Sequence, residues 1–221
     1  MKEIIERLRN DEDYYGEFGR KYMSNSSIGT LLNNPILEPE KADETTSIGV
    51  ASRNTKVYKE FLIQKDLSFV LLEKEVTEVD SLVKTMMGNF AFYEDIRAEG
   101  VEYEVPAIKE IKGMMWKGKA DIVHPEMLID LKTTANIQDF KRSANKFNYD
   151  SQAYIYQELF GKPLVFYVIC KKTHTLGIFH PTDEFIKRGE QKVIDAIEVY
   201  NKFFSEDAPN DINEYYIEDT L

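Results

Sequence analysis

Apolar and polar residues alternate most regularly in residues 113–134, GMMWKGKADIVHPEMLIDLKTT. This pattern predicts one strand over residues 114–123 and another over residues 127–133, because residues of a half-buried strand face the core and the solvent in turn. A short turn at residues 124–126, with Pro125 in it, separates the two runs. The stretch therefore predicts two neighbouring strands around which the rest of the fold can be placed.

The two predicted strands bring three charged residues together. Neighbouring strands lie about 4.8 Å apart, so Asp121, near the end of the first strand, can face the second. Asp130 and Lys132 are two residues apart and point to one face, whereas Ile129 and Leu131 point to the other. Two carboxylates and an amine are thus expected at the edge of an apolar layer.

The remaining patterns predict helices on both sides of a sheet. Further strands are predicted at residues 68–72, 101–108, 164–170 and 176–180. Before the sheet, helices are predicted at residues 2–9, 24–35 and 55–64, and from Thr77 or Asp80 to about 92; Ser24 or Ser26 caps the second of these and Pro35 ends it. A further helical region is predicted from Asn136 to 160, with a break near Asn148. The last helix is predicted from Glu184 to about 204, with a cap at Thr182 or Asp183. Residues 36–54 are predicted to be loop. The order strand, strand, strand, helix, strand, strand predicts an α/β fold in the broad sense, an α+β mixed sheet flanked by helices.

Length and composition narrow the class of protein. With 221 residues we expect a single domain over residues 1–221, with its core at about 100–181, an N-terminal helical region at 1–95 and an acidic tail at 205–221. No run of about 18 apolar residues occurs and the N-terminus is charged, so we expect neither a membrane partner nor a signal peptide. Cys170 is the single cysteine, which excludes an internal disulfide and a cysteine-ligated iron–sulfur cluster. A reducing cytoplasm is the expected compartment.

The charge of the chain is unevenly distributed. Its net charge of −11 argues against a protein that coats nucleic acid by electrostatics alone. Residues 109–146 nevertheless carry eight basic and five acidic side chains. This stretch could form a locally basic cleft, although a solvated helix face is the usual role of Lys141, Arg142 and Lys146.

The charged group on the two predicted strands has a chemical use. Oxygen ligands from two carboxylates suit Mg²⁺ or Mn²⁺. A coordinated water loses its proton more easily and can attack a phosphodiester, and a lysine beside it can orient that water or offset phosphate charge. An Asp-x-Lys motif on its own is more often a weak surface salt bridge. The neighbouring motifs therefore decide between the two interpretations.

A longer series of motifs resembles a known family. Glu104, Lys119-Ala120-Asp121, residues 129–134 (IDLKTT) and Gln152-x-x-x-Tyr156 follow one another in the order of the PD-(D/E)xK nuclease superfamily, with its restriction-endonuclease-like core. The series is similar to RecB-type exonucleases, and most closely to the exonuclease VIII (RecE-like) branch of phages and prophages. Residues 24–27, 31–35, 37–40 and 133–140 add to this resemblance, which spans roughly residues 20–205.

The resemblance implies a role for each matching residue. Asp121 matches the first acidic metal ligand and Asp130 the second, while the main-chain carbonyl of Leu131 is in the position of a further ligand. Lys132 matches the catalytic lysine. Glu104 matches the acidic residue of the preceding strand. A Mg²⁺ ion, or Mn²⁺ in its place, is the implied cofactor.

Other positions are implied to support the site or bind DNA. Glu102 is the alternative to Glu104, because it has the same strand parity. Gln152 and Tyr156 lie on one face of a helix by their spacing, where they could contact DNA or support the lysine. Thr133 and Ser26 belong to the same DNA-binding or supporting group.

One motif of the resembled family is missing. Its members have a Gly-x-x-x-His segment between the early serine-rich helix and the Leu-Glu-Pro stretch, and that histidine helps to bind metal. Here Pro35-Ile36 runs directly into Leu37-Glu38-Pro39, and no histidine precedes His124. His124, His174 and His180 do not match the motif and are interpreted as turn or surface residues. A chain without that histidine lacks one metal ligand of the resembled family, which makes a catalytically impaired relative an alternative to an active nuclease.

The resemblance implies a metal-dependent exonuclease that degrades linear double-stranded DNA from its ends with 5′→3′ polarity. Its role would be recombination or end processing in a bacterial or phage-infected host cytoplasm. A single-strand annealing protein is the implied partner, and a ring-forming homo-oligomer the implied assembly. Two alternatives stay open: a catalytically impaired relative that binds DNA or protein, and a structure-specific endonuclease on the same fold.

Overall fold

A five-stranded sheet forms the centre of the protein. The computed structural model describes residues 36–37, 47–67, 69–211, 216 and 220. In chain order its elements are β1 (Ser47–Ile48), α1 (Lys56–Lys65), β2 (Leu71–Leu72), α2 (Glu73–Gly88), α3 (Phe90–Ile96), β3 (Glu102–Ile111), β4 (Met114–Val123), β5 (Leu128–Thr134), α4 (Phe140–Lys146), α5 (Tyr149–Phe160), β6 (Leu164–Cys170), β7 (Leu176–Phe179) and α6 (Asp183–Phe203).

The central sheet is mixed. Its strand order is β3-β4-β5-β6-β7, with antiparallel pairs except for the parallel pair β5–β6. Parallel neighbours need a crossover connection, and α4 with α5 supplies it. β1 and β2 form a separate short parallel pair. The mixed sheet flanked by helices confirms the predicted fold class.

Each face of the sheet is covered by a different set of helices. On one face, Ile129, Leu131 and Tyr167 pack against Leu82 of α2 and Ile96 of α3. On the other face, residues of β5 and β6 pack against α4, α5 and the start of α6; this cluster includes Leu128, Phe166, Val168, Phe140, Ala153 and Phe185. Asp130 and Lys132 alternate with Ile129 and Leu131, so they lie on the face covered by α4 and α5.

Several predicted boundaries agree with the structure, and their local chemistry explains them. Thr55 begins α1 and Thr182 begins α6, each accepting a hydrogen bond from a first-turn amide. Asn148, with a φ of 56°, makes the break between α4 and α5, because asparagine tolerates the left-handed conformation. Gly161, with a φ of 69°, ends α5.

The prediction for residues 77–92 was wrong at both ends. The helix begins earlier, at Glu73, because Glu75 accepts a hydrogen bond from the Leu72 amide at 3.0 Å and forms a bidentate ion pair with Arg53. Leu72 itself supplies no capping side chain. The helix also stops at Gly88, where Asn89 begins α3 instead.

Other local predictions were wrong in the loop regions. Ile36 and Leu37 are helical and buried, and β1 lies within the stretch predicted to be loop. Of the strand predicted at residues 68–72, Leu71–Leu72 form a strand, whereas the described residues Phe69 and Val70 do not. Asn136 does not cap α4; its carboxamide oxygen accepts from the Gln138 amide in a turn ahead of the helix. The predicted helices at 2–9 and 24–35, with Ser26, lie outside the described residues.

The contact between α5 and α6 fixes the position of α5. A Cβ added to Gly189 of α6 would lie 2.0 Å from the Asp150 carbonyl oxygen, so only glycine permits this approach. The buried Asp150 carboxylate pairs with Arg188 at 2.6 Å and with Lys192 at 2.9 Å. These contacts set the depth at which α5 packs on the sheet. In the described part of the chain, none of the helices is long and apolar enough to cross a membrane.

Candidate active site

A cleft of about 810 Å³ opens between β5 and the helices α4 and α5. The predicted residues Asp121, Asp130, Lys132, Gln152 and Tyr156 all lie in its wall. The other residues that line it are Leu131, Thr133, Thr134, Ala135, Asn136, Asp139, Phe140, Arg142, Ser143, Phe147, Tyr149 and Lys171. The residues singled out from the sequence on β4, β5 and α5 therefore meet in one place.

The cleft exists because β4 and β5 diverge. The two strands pair only at Ile122–Ile129 and Val123–Leu128. Beyond that point side chains satisfy the backbone groups: Asp121 Oδ2 accepts from the Leu131 amide at 2.9 Å, and the Tyr156 hydroxyl donates to the Lys119 carbonyl at 2.9 Å. Buried backbone groups need such partners, so these two side chains replace the strand pairing that the Leu131 amide and the Lys119 carbonyl would otherwise make.

The backbone of β3 is irregular directly opposite Asp121. The register of β3 and β4 places Glu104 across from Asp121, yet the ladder skips this pair. Glu104 has a φ of 53°, in the left-handed region that disfavours residues other than glycine, asparagine and aspartate. Its carboxylate is ion-paired with Lys119. Of the two glutamates considered from the sequence, Glu104 therefore lies next to Asp121, whereas Glu102 is exposed and pairs with Val123.

The same irregularity changes the alternation of β4. Ala120 packs on the face covered by α5, whereas Ile122 packs on the face covered by α2 and α3. Residues two apart in a regular strand share a face. The break in this alternation lies at Asp121, where β4 pairs with neither β3 nor β5. It leaves the Asp121 carboxylate next to β5.

Asp130 is held from two sides. Its side chain is 3% exposed, and Oδ1 accepts a hydrogen bond of 2.5 Å from the Gln152 carboxamide. Oδ2 lies 2.7 Å from the Lys132 ammonium but has no hydrogen bond of good geometry. Gln152 therefore contacts the second carboxylate of the site rather than the lysine. The buried Oδ2 still has capacity for another electropositive partner.

The charges of the cluster perturb one another. Burial, and then the negative charge of Asp130, raises the pKa of Asp121 to about 7 against the opposing effects of Lys132 and the Leu131 amide. Burial disfavours the ammonium form of Lys132, but the carboxylates of Asp130 and Asp121 outweigh it and raise the lysine pKa above its ordinary value. Lys132 thus keeps its proton at neutral pH and can donate hydrogen bonds.

Tyr149 is a member of the site that the sequence reasoning missed. The Lys132 ammonium lies 4.8 Å from the centre of its ring, within the range of a cation–π contact. The spacing of Tyr149, Gln152 and Tyr156 along α5 puts all three on one helix face. That periodicity was visible in the sequence and could have identified Tyr149. Lys119, the partner of Glu104, left no such signal.

The remaining predicted residues have different positions. Leu131 and Thr133 line the cleft, and Ser26 lies outside the described residues. His124 accepts a hydrogen bond from the Glu126 amide in the turn after β4, and His174 contacts Thr85 of α2. Neither histidine is among the residues that line the cleft.

The donor set suits a hard divalent cation. Among the described residues, no three His, Cys, Asp or Glu side chains form a group that could hold a metal ion. The half-buried carboxylate of Asp121 and the buried carboxylate of Asp130 nevertheless lie on the same cleft, and Oδ2 of Asp130 is paired only with the Lys132 ammonium, without a hydrogen bond of good geometry. Mg²⁺ is commonly bound by one or two carboxylates and completes its shell with water. The residues present therefore fit such an ion.

Comparison with known proteins agrees with the fold. Residues 20–213 match the model of a family described as PDDEXK-like domain of unknown function (DUF3799). A crystal structure from Eubacterium rectale, provisionally described as that of an exonuclease, superposes with a TM-score of 0.57 at 18% identity. The match covers 79% of this chain and 65% of that chain, so the chain spans just under two thirds of that protein's length. At this identity the likeness concerns the fold alone.

A second solved structure, that of SSO0001, has a TM-score of 0.36 at 20% identity, over 81% of this chain and 89% of that one. This similarity is too low to support an inference about the fold. No curated protein matches the chain significantly.

Proposed function

Because the chain belongs to the family of PDDEXK-like domains of unknown function (DUF3799), we propose that it is a metal-dependent nuclease whose active site is the cleft between β5 and α5. One observation carries this proposal. Asp121, Asp130 and Lys132, which match the superfamily motif in order, lie on a single cleft, where Lys132 is 2.7 Å from Asp130 and both charges act on the pKa of Asp121. An isolated surface salt bridge would not need a buried aspartate, a second, half-buried carboxylate and a flanking glutamine.

Asp121 and Asp130 would hold the cation, with the main-chain carbonyl of Leu131 as a further ligand. A divalent cation, when bound, lowers the pKa of a coordinated water and offsets negative charge on the phosphodiester. Glu104 lies next to Asp121 and is the nearest candidate for a third carboxylate. Its ion pair with Lys119 would have to rearrange before it could serve.

The chain's own residues have separate tasks in this proposal. Lys132 carries a proton on Nζ and would donate it in a hydrogen bond to the attacking water or to a phosphate oxygen. Gln152 fixes Oδ1 of Asp130, so Oδ2, which is paired with the Lys132 ammonium, is the oxygen that would also contact the cation. Tyr156 ties α5 to the unpaired edge of β4 and so keeps the two sides of the cleft together.

For the substrate, we propose linear double-stranded DNA degraded from its ends, with 5′→3′ polarity, in phage-type recombination or end processing. The resemblance to the exonuclease VIII branch supports this choice, as does the provisional description of the similar Eubacterium rectale protein as an exonuclease. A single-strand annealing protein as partner and a ring-forming homo-oligomer belong to the same proposal. A ring would let an acidic protein hold DNA without a strongly basic surface.

The substrate is tested by comparing a linear duplex with the same DNA as a covalently closed circle. Each is incubated with Mg²⁺ or Mn²⁺, and the linear duplex carries a label at either its 5′ or its 3′ end. We expect loss of the linear form alone, with early release of the 5′ label. Cleavage of the closed circle would instead indicate an endonuclease. Absence of cleavage of either form with both metals would favour a catalytically impaired relative, in keeping with the missing histidine motif.

A further inference from the structure

One exposed aromatic side chain lies in the wall of the cleft. Phe147 is 57% exposed, whereas Phe140 is buried and Tyr149 and Tyr156 are partly buried. More than half of the Phe147 side chain is therefore available to a molecule that enters the cleft. Phe147 is absent from the residues that the sequence motifs identified.

Phe147 is the outer member of a row of rings that begins in the core. Phe166 of β6 lies 5.5 Å from Tyr149, and Tyr149 lies 6.0 Å from Phe147, measured between ring centres. The Tyr149 ring also lies 4.8 Å from the Lys132 ammonium. A single ring therefore separates Phe147 from the lysine of the candidate site.

The backbone holds Phe147 in this exposed position. It lies in the two-residue link between α4 and α5, and its amide donates to the Ser143 carbonyl at 2.9 Å. The next residue, Asn148, has a φ of 56° and accepts a hydrogen bond from Lys192 of α6. Because these contacts fix the link on both sides, the ring is presented to the cleft with little freedom to lose on binding.

The surroundings favour a nucleic-acid base as the occupant. Besides Asp121, Asp130 and Lys132, the cleft is lined by the basic Arg142 and Lys171 and by the acidic Asp139. The Lys146 ammonium lies 5.6 Å from the centre of the Phe147 ring. A chain with a net charge of −11 gains little from long-range attraction to phosphates, so stacking has to supply part of the affinity. The cleft volume of about 810 Å³ is that of a small-ligand site rather than of a whole duplex.

We propose that Phe147 is a stacking platform for an unpaired base next to the scissile phosphate, so that the cleft takes a single-stranded end. This inference rests on the proposed function, because it assigns the substrate form that the same site accepts. Aromatic side chains recognise unpaired bases through stacking, and bases of an intact duplex interior are not available for it. The end of a duplex would therefore have to fray, or carry an overhang, before it enters.

The test uses a short oligothymidylate with a single 2-aminopurine, whose fluorescence changes when the base stacks on an aromatic ring. The full chain is titrated into it with Ca²⁺ in place of Mg²⁺, and into a blunt duplex of equal length. We expect Phe147→Ala to weaken single-strand binding about tenfold or more and to abolish the fluorescence change. Phe147→Tyr should retain both. Phe90→Ala, which removes an aromatic ring that is 74% exposed on α3, should change neither.

Two results would overturn the proposal. One is unchanged single-strand affinity and fluorescence in Phe147→Ala. The other is an altered sedimentation mass of that variant, which would make Phe147 a contact between copies of the chain. Hydrolysis of the same strand in Mg²⁺ or Mn²⁺ separates this inference from the proposed function. If binding depends on Phe147 but the strand is not hydrolysed, the stacking role is supported and the nuclease proposal is contradicted. If the strand is hydrolysed but binding does not depend on Phe147, the nuclease proposal is supported and the stacking role is contradicted.

Discussion

Lys132 is fixed on two sides, by the carboxylate of Asp130 at 2.7 Å and by the ring of Tyr149 at 4.8 Å from its centre. The carboxylate also has to serve the proposed cation, so it cannot by itself determine where the ammonium lies. The ring of Tyr149 has no such second task. We therefore regard Tyr149 as a positioning residue that acts through Lys132.

Two replacements of Tyr149 distinguish the contribution of its aromatic ring from that of its hydroxyl. Tyr149→Phe should retain nuclease turnover, because the face of the ring remains. Tyr149→Leu should lower kcat by roughly 3- to 30-fold, which corresponds to a cation–π contact of about 0.5–2 kcal/mol. Steady-state kinetics on a linear duplex checks this. A fall in both variants alike, or an effect on KM alone, would show that the ring does not position the lysine.

Glu104, the third residue of β3, has a strained backbone conformation with a φ of 53°. Glu104→Ala and Glu104→Gly both remove the ion pair with Lys119, so the difference between the two variants isolates the backbone strain. We expect the glycine variant to be the more stable by about 1 kcal/mol, the reverse of the usual order in strands. Urea unfolding measures the difference. A more stable alanine variant would mean that the strain is absent.

The sequence was most informative for residues whose role follows from spacing. Asp121, Asp130 and Lys132 could be placed on one site because strand alternation and strand pairing are local rules. The left-handed conformation of Glu104 could not be predicted, since it depends on how β3 fits against β4 opposite Asp121. The contact of Lys119 with Glu104 follows from that conformation and was missed for the same reason.

At the scale of elements, α5 carries Gln152 and Tyr156, and α6 holds it in place. Gly189→Ala would put a methyl group 2.0 Å from the Asp150 carbonyl oxygen, so the helices would have to separate. We expect a loss of about 1–3 kcal/mol of unfolding free energy, accompanied by lower turnover. Gly88→Ala is the matched control, because its Cβ would meet nothing within 4 Å at the end of α2. It should leave stability unchanged or raise it by up to about 1 kcal/mol.

The ion pairs of Asp150 predict a pH dependence of stability. Burial raises the pKa of this carboxyl, but hydrogen bonds from Arg188 and Lys192 outweigh it, so the pKa lies below its usual value. A lowered pKa stabilises the fold above the unfolded-state pKa of about 4, and the gain is lost as the pH falls through the folded-state value. Asp150→Asn should therefore cost about 2 kcal/mol at pH 7 and progressively less below pH 4. Unfolding curves at pH 7, 5, 4 and 3 measure this, and a constant difference would contradict it.

Elements were predictable where their signals are local. The strands β4 and β6, the break at Asn148 and the start of α6 at Thr182 each carry their own pattern or cap. The pair β1–β2 was missed, because two residues of strand make no periodic signal and are defined only by their distant partner. The start of α2 was missed because its cap comes from Glu75, inside the helix, and from the distant Arg53.

At the scale of the whole molecule, a chain with a net charge of −11 carries a small basic group around an acidic pair of aspartates. That arrangement suits a site in which a cation and a lysine meet the phosphodiester, while the outer surface contributes little to DNA binding. The fold agrees with this use, because β5 places Asp130 and Lys132 at the centre of the sheet and α5 covers them. We therefore propose that Lys132 and the two aspartates act together in metal-dependent hydrolysis of DNA.

The most direct measurement is the initial rate of hydrolysis of an end-labelled linear duplex with Mg²⁺ or Mn²⁺ by the intact chain, Lys132→Gln and Lys171→Gln. Both variants lose one positive charge from the same cleft. We predict at least a 100-fold lower rate for Lys132→Gln, on the order expected for removing a group that acts in the transition state, and less than about a tenfold change for Lys171→Gln. A chelator should abolish the activity of the intact chain. Equal rates for the intact chain and Lys132→Gln would show that Lys132 has no role in the reaction, and no metal-dependent hydrolysis by the intact chain would show that the cleft is not a nuclease site.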